Sequence, residues 1–156
     1  MDIVSSETRR KIMQSIRSTN SKAEVRVRSV LHANGFRFRI HNKNLPGTPD
    51  IVLSKYRTVI LVHGCFWHRH QDCRHSSIPK SNTEFWLEKF ERNVQRDRKN
   101  LKELKDAGYE VIVLWECELK SPIRLEETVS WLDKKRREFQ LKASVESNTS
   151  SKQDIL

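Results

Sequence analysis

Val59-Ile60-Leu61-Val62-His63-Gly64-Cys65-Phe66-Trp67-His68-Arg69-His70-Gln71-Asp72-Cys73 joins an apolar run to a loop that gathers the chain's rarest side chains. The run Val59 to Val62 is short, apolar and rich in β-branched residues, the signature of a buried strand. From Val62 to Cys73, twelve positions hold three of the six histidines, two of the three cysteines and the pair Phe66-Trp67. Thiols and imidazoles at short spacing suit a soft or borderline metal, and two large aromatics in a polar loop suit insertion into a partner. A buried plug of cysteine and aromatic side chains is the alternative on composition.

Outward from this stretch the periodicity predicts an alternation of strands and helices. Ile51-Val52-Leu53 forms a strand joined to the one beginning at Thr58 by the hairpin Ser54-Lys55-Tyr56-Arg57, and Phe36 to Ile40 alternates apolar and basic residues as a half-exposed strand does. The turn Leu45-Pro46-Gly47-Thr48-Pro49 delivers Asp50 to a strand start. Asp is a common turn former there, but beside a histidine-rich loop it also fits a carboxylate for a hard cation. Downstream, Trp86, Phe90, Val94, Leu101 and Leu104 keep helical spacing over Glu84 to Ala107, with Gly108 as the stop. Tyr109 to Trp115 then reads as a strand that delivers Cys117, and Leu125 to Phe139 as a closing helix with the basic run Lys134-Lys135-Arg136-Arg137.

Upstream, Ser21 stands three before Glu24 as a capping box, Val27, Val30 and Leu31 form an apolar stripe, and Gly35 ends the helix. Glu24 shares a face with positions 27, 28 and 31, so its carboxylate is directed toward the body of the protein. Residues 6–17 place Ile12, Met13 and Ile16 beneath Arg9, Arg10 and Lys11: a short basic helix that either packs on the domain or reaches into a groove. The expected organisation is a basic arm over residues 1–20, a folded domain over 21–142 and a disordered tail over 143–156, where Ser, Asn, Gln and Lys dominate. The fold class is α/β, a mixed central sheet flanked by helices.

The length of 156 residues suits one domain, and the net charge of +10 makes a polyanion the expected partner, nucleic acid first. A solvated basic surface without a partner is the alternative. No run approaches the roughly 18 apolar residues of a membrane span, and the start MDIVSSETRRK lacks the apolar core of a signal peptide. A cytoplasmic protein with no membrane partner is therefore expected. In a reducing compartment three cysteines favour metal or free thiols over disulfides.

Two metal sites follow from the chemistry. Cys65, His70, Cys73 and Cys117 match the nitrogen and sulfur ligands of a closed structural zinc, although His68 or His75 fits the spacing as well as His70 does. Asp50, with His63 and His68, suits a hard cation beside an imidazole able to take a proton from water, the parts needed for phosphodiester hydrolysis.

Leu45-Pro46-Gly47-Thr48-Pro49-Asp50, Val62 to His68, Thr83 to Lys89, Asn93 to Arg98 and Trp115-Glu116-Cys117 resemble, in order and spacing, the very short patch repair (Vsr) DNA mismatch endonucleases. The likeness runs from about Glu7 to Leu132, and the string His63-Gly64-Cys65-Phe66-Trp67-His68 is specific to that family. The resemblance implies a restriction-endonuclease-like fold and a nick 5′ to the thymine of a T:G mismatch in double-stranded DNA. It implies catalytic Mg²⁺ on Asp50 and the main-chain carbonyl of Val62, His68 as general base, His63 as a second catalytic imidazole and Glu24 supporting His68. Cys65, His70, Cys73 and Cys117 take the family's structural Zn²⁺. Phe66, Trp67 and Trp86 correspond to an aromatic wedge, Met13 to a minor-groove contact, and Lys89 and Asn93 to polar contacts near the mismatch. A monomer working alongside mismatch-repair proteins is implied. Val62 stands where relatives often carry Thr, and Ile60-Leu61-Val62 offers no Glu-x-Lys after Asp50, which favours histidine-assisted chemistry over that of a generic restriction nuclease. A non-catalytic zinc-stabilised DNA-binding module is the alternative, and a redox or metal-handling protein rests on the cysteines alone.

Overall fold

Strand β3 (Thr58–His63) is the axis of the molecule: every residue but Val62 is buried, because the strand is paired on both edges and covered on both faces. The structure is a computed structural model that describes residues 5–16 and 19–150, excepting the side chains of 148–150. The elements run α1 (Ser6–Ser15), α2 (Lys22–Ala33), β1 (Arg39–Ile40), β2 (Ile51–Leu53), β3, α3 (Thr83–Asp106), β4 (Glu110–Trp115) and α4 (Ile123–Ser150). The four strands form one mixed sheet in the order β1-β2-β3-β4, antiparallel up to β3 and parallel between β3 and β4. The parallel pair needs a crossover, and α3 supplies it.

Strand alternation sorts the core into two layers. Ile51, Leu53, Ile60 and Leu114 face α2 and α4, where they meet Val27, Leu31, Leu125 and Leu132. Val52 and Val59 face the opposite way and pack with Leu104 of α3. Helices on both faces explain why β3 reads as a continuous apolar run rather than an alternating one.

The predicted strand over Phe36 to Ile40 shortens to Arg39–Ile40. Its first residues are committed to ending α2: the Gly35 N–H donates to the His32 carbonyl and the Phe36 N–H to the Leu31 carbonyl. Gly35 sits at φ 81°, the left-handed geometry such a stop requires. Phe36 is thereby turned into the core, with the Arg136 guanidinium over its ring.

The C-terminal prediction also differs. Helix α4 passes Phe139 and continues to Ser150, through the start of the segment expected to be disordered. No Gly or Pro follows Pro122, so local sequence offers no stop, although residues 143–147 are exposed. Residues 151–156 lie outside the described residues, as does Arg17 of the predicted arm. Among the described residues no helix is long and apolar enough to cross a membrane.

Candidate active site and metal centre

Because β2 runs antiparallel to β3, its start lies beside the end of β3, and β4 ends at the same edge. Asp50, Val62, His63 and Cys117 are thus gathered at one end of the sheet by topology alone. A cavity of about 1030 Å³ opens there, with Glu24, His41, Asp50, His63, His68 and Asp97 in its wall and Met13, Trp67, Lys89 and Asn93 on its lining. Helix α1, through Met13, therefore borders the same cleft as Trp67.

Asp50 is held by the Val62 N–H, which donates to Oδ2 at 2.7 Å. In extended backbone the N–H and C=O of one residue face the same strand edge, so the Val62 carbonyl faces the Asp50 side. Burial pushes the Asp50 carboxyl above its ordinary range, the Val62 hydrogen bond opposes this, and the nearby Glu24 adds to it. Two carboxylates held this close, one raised by its surroundings, suit a divalent cation.

Glu24 keeps both halves of the capping box, accepting the Ser21 N–H while Ser21 Oγ accepts the Glu24 N–H. Its side chain does not meet His68. Oε2 lies 3.1 Å from His41 Nε2 and accepts the Asn20 N–H at 3.0 Å. The expected support of His68 by Glu24 is therefore not made through a hydrogen bond here: the N-terminal turn of α2 points the carboxylate at His41 in the β1–β2 connection.

The partner of His68 is Asp97. Nδ1 and Oδ2 are 2.6 Å apart, and the His68 ring stacks on His63 with centroids 3.9 Å apart and planes 6° from parallel. Burial would raise the Asp97 carboxyl, but the His68 hydrogen bond and the charges of His68, His63 and Arg96 outweigh it and hold Asp97 below its usual range. Burial, then the neighbouring His68, pushes His63 down to about 4. A group depressed in this way stays neutral in the folded protein while an ordinary imidazole protonates. An NMR titration of the His63 ring should accordingly show no protonation near pH 5.5, whereas a midpoint near 6.5 would contradict its burial. Asp97→Asn should lower the reaction rate about 100-fold or more with DNA affinity unchanged, since it replaces the carboxylate on His68 Nδ1 by an uncharged amide that can donate to that nitrogen and select the wrong tautomer; single-turnover rates beside binding isotherms check it.

Sulfur and nitrogen converge on the other side of the loop. Cys65, His70, Cys73 and Cys117 bring one donor atom each to within 4.8 Å of one another. His70 Nδ1 is 3.2 Å from Cys117 Sγ and 3.6 Å from Cys65 Sγ, and its ring stacks on Trp115. The choice left open by spacing resolves in favour of His70: His68 is taken by Asp97, and His75 lies against Lys120 and Arg74. Burial pushes the Cys65 thiol up to about 12, a cost that a bound cation removes.

Between these sites stands an aromatic cluster. The Phe66 centroid is 5.0 Å from Trp67, 5.4 Å from Trp86 and 5.1 Å from Phe90. The Lys89 ammonium lies over Trp67 and Trp86, and Asn93 Nδ2 donates to the Trp67 carbonyl. Lys89 and Asn93 thus brace the loop that carries Trp67 as well as facing the cleft.

Sequence reasoning missed His41 and Asp97. Asp97 had a signal: Lys89, Asn93, Asp97 and Asn100 recur every three or four residues as a polar stripe flanking the apolar one on α3. His41 had none, because only the folded β1–β2 connection brings it to Glu24.

A mixed sheet carrying a half-buried carboxylate, a carboxylate-held imidazole and a basic aromatic rim in one cleft suits a hydrolase acting on a polyanion. Residues 1–75 match the family model described as DNA mismatch endonuclease Vsr. A type II nicking enzyme of Neisseria meningitidis serogroup A is 52% identical over 120 residues, covering 77% of this chain and 85% of the relative. One from Xanthomonas oryzae pv. oryzae is 50% identical over 118 residues, 76% of this chain and 86% of the relative. DNA mismatch endonuclease Vsr of Escherichia coli is 42% identical over 124 residues, 80% of this chain and 79% of the relative. The chain belongs to the Vsr family of DNA mismatch endonucleases, and its partner is DNA.

Proposed function

We propose that the protein nicks one strand of duplex DNA 5′ to the thymine of a T:G mismatch. The observation that carries this reading is the opposition, across one cleft, of Asp50 beside the Val62 backbone and His68 locked onto Asp97. With Nδ1 engaged by Asp97, His68 keeps Nε2 as the nitrogen that takes the proton from the attacking water. Neutral, stacked His63 holds the His68 ring in plane and adds no repulsive charge against it. Asp50 and the Val62 carbonyl are the ligands for Mg²⁺, which when bound neutralises charge at the scissile phosphate. Glu24 acts on the Asp50 side of the cleft rather than through His68.

Phe66, Trp67 and Trp86 enter the base stack, and Met13 meets the duplex from the opposite groove. Unstacking a step costs a few kcal/mol, and aromatic faces return about 1–3 kcal/mol per base. A wobble pair is already weakened, so the wedge enters there at least cost. Lys89 and Asn93 hold the wedge and contact the mismatch. Zn²⁺ on Cys65, His70, Cys73 and Cys117 stakes the wedge loop to the end of β4. The strand order, with an antiparallel β1-β2-β3 meander followed by a parallel β4, supports a restriction-endonuclease-like core. An asymmetric mismatch requires no two-fold symmetry, so a monomer suffices. It works in the bacterial cytoplasm, at the nucleoid, beside mismatch-repair proteins.

Matched duplexes carrying T:G, A:T or C:G at one position, including contexts in which cytosine is methylated, provide the test. Nicking confined to T:G and abolished by EDTA is expected. Equal cutting of all three overturns the specificity, and mismatch binding without product under any metal favours a non-catalytic binding module.

A further inference from the structure

We propose that His41 is a nitrogen ligand of the catalytic cation, so that Glu24, His41 and Asp50 together form its site and shift it toward metals softer than Mg²⁺. The inference rests on reading Asp50 as the cation's carboxylate and adds to it a residue with no part in the resemblance drawn from the sequence.

One donor atom from each of the three residues lies within 4.8 Å of the others, with His41 21% and Glu24 6% exposed at the side chain. Each is fixed independently. Glu24 is clamped by the Asn20 and Ser21 N–H groups at 3.0 and 3.3 Å, and Asp50 by the Val62 N–H at 2.7 Å. His41 is set by the β1–β2 connection, where its backbone N–H donates to the Asp50 carbonyl at 3.4 Å at a φ of 45° and its Nε2 lies 3.1 Å from Glu24 Oε2. The positive group facing the site from α2 is Arg28, whose guanidinium is 3.9 Å from Glu24 Oε2 but is hydrogen-bonded to Asn20 Oδ1. One Arg charge against two carboxylates leaves the site acidic, and the imidazole adds a neutral donor. Mg²⁺ favours oxygen and water, whereas Mn²⁺ and its transition-metal neighbours accept imidazole readily.

The test compares full-length wild type, His41→Gln, His63→Gln and Asp50→Ala, using Mn²⁺ and Mg²⁺ as the probes. Electron spin echo modulation of bound Mn²⁺ should report nitrogen coupling in wild type and His63→Gln that disappears in His41→Gln. Calorimetric titration should find Mn²⁺ binding weakened about tenfold in His41→Gln and Mg²⁺ binding less than about threefold, a size typical for perturbing a metal site. Gln keeps a polar side chain of similar reach beside Glu24, and unchanged zinc content and circular dichroism report an intact fold. Nitrogen coupling that persists in His41→Gln or is absent from wild type, or equal weakening of both metals, overturns the proposal. Mn²⁺ binding untouched by Asp50→Ala would instead remove the reading on which it rests.

Discussion

Asp50→Asn is expected to lower nicking of a mismatched duplex by about 1000-fold or more while changing duplex affinity less than about threefold. The substitution keeps the shape and the hydrogen bond from the Val62 N–H within reach, and removes the charge that the cleft concentrates on a cation. Loss of one preorganised charge interaction at a reacting phosphate is worth about 4 kcal/mol, which converts to the stated factor. Trp67, Lys89 and the α1 border of the cleft are untouched, so DNA affinity should survive. Single-turnover nicking and fluorescence anisotropy on the same duplex separate the two effects. A variant that nicks within tenfold of wild type would place the catalytic cation elsewhere.

Disabling the proposed zinc site should act on stability first and activity second. Cys117→Ala takes away the ligand that joins the loop after β3 to the end of β4, leaving Cys65 buried without the cation that offsets its burial. Loss of a structural metal ligand belongs with the substitutions that cost about 4 kcal/mol or more. At this chain length that lowers Tm by about 10 °C or more. Nicking should fall with it, because the same loop carries Phe66, Trp67 and His68. Zinc analysis should find about one ion per chain in wild type and less in the variant. Full zinc content with an unchanged Tm would mean that the four side chains meet for another reason. The core itself should persist at low temperature: β2, β3 and the two layers of apolar residues do not pass through the loop.

Most elements were legible because their causes are local. The capping box at Ser21 and Glu24, the left-handed stop at Gly35 and the unbroken apolar run of β3 each declare an element within a few residues. Where the reading differed, neighbours outside the window decided. Phe36 looked like a strand residue until its N–H was claimed by Leu31, and α4 outran its apolar stripe because nothing stopped it.

The candidate site divides in the same way. Residue chemistry by itself singled out Asp50, His63 and His68 as candidates for hard-cation chemistry, set the cysteines and a histidine apart as a softer cluster, and made DNA the expected partner of a basic chain with aromatics in a loop. These conclusions depend on donor type and short spacing, which the chain carries in one dimension. Tertiary structure alone decided the pairings: Asp97 rather than Glu24 on His68, His41 on Glu24, and His70 rather than His75 among the thiols. Asp97 reaches His68 across 29 positions and His70 reaches Cys117 across 47. Contacts of that range are set by how α3 crosses the sheet and where β2 and β4 end, and no local pattern encodes them.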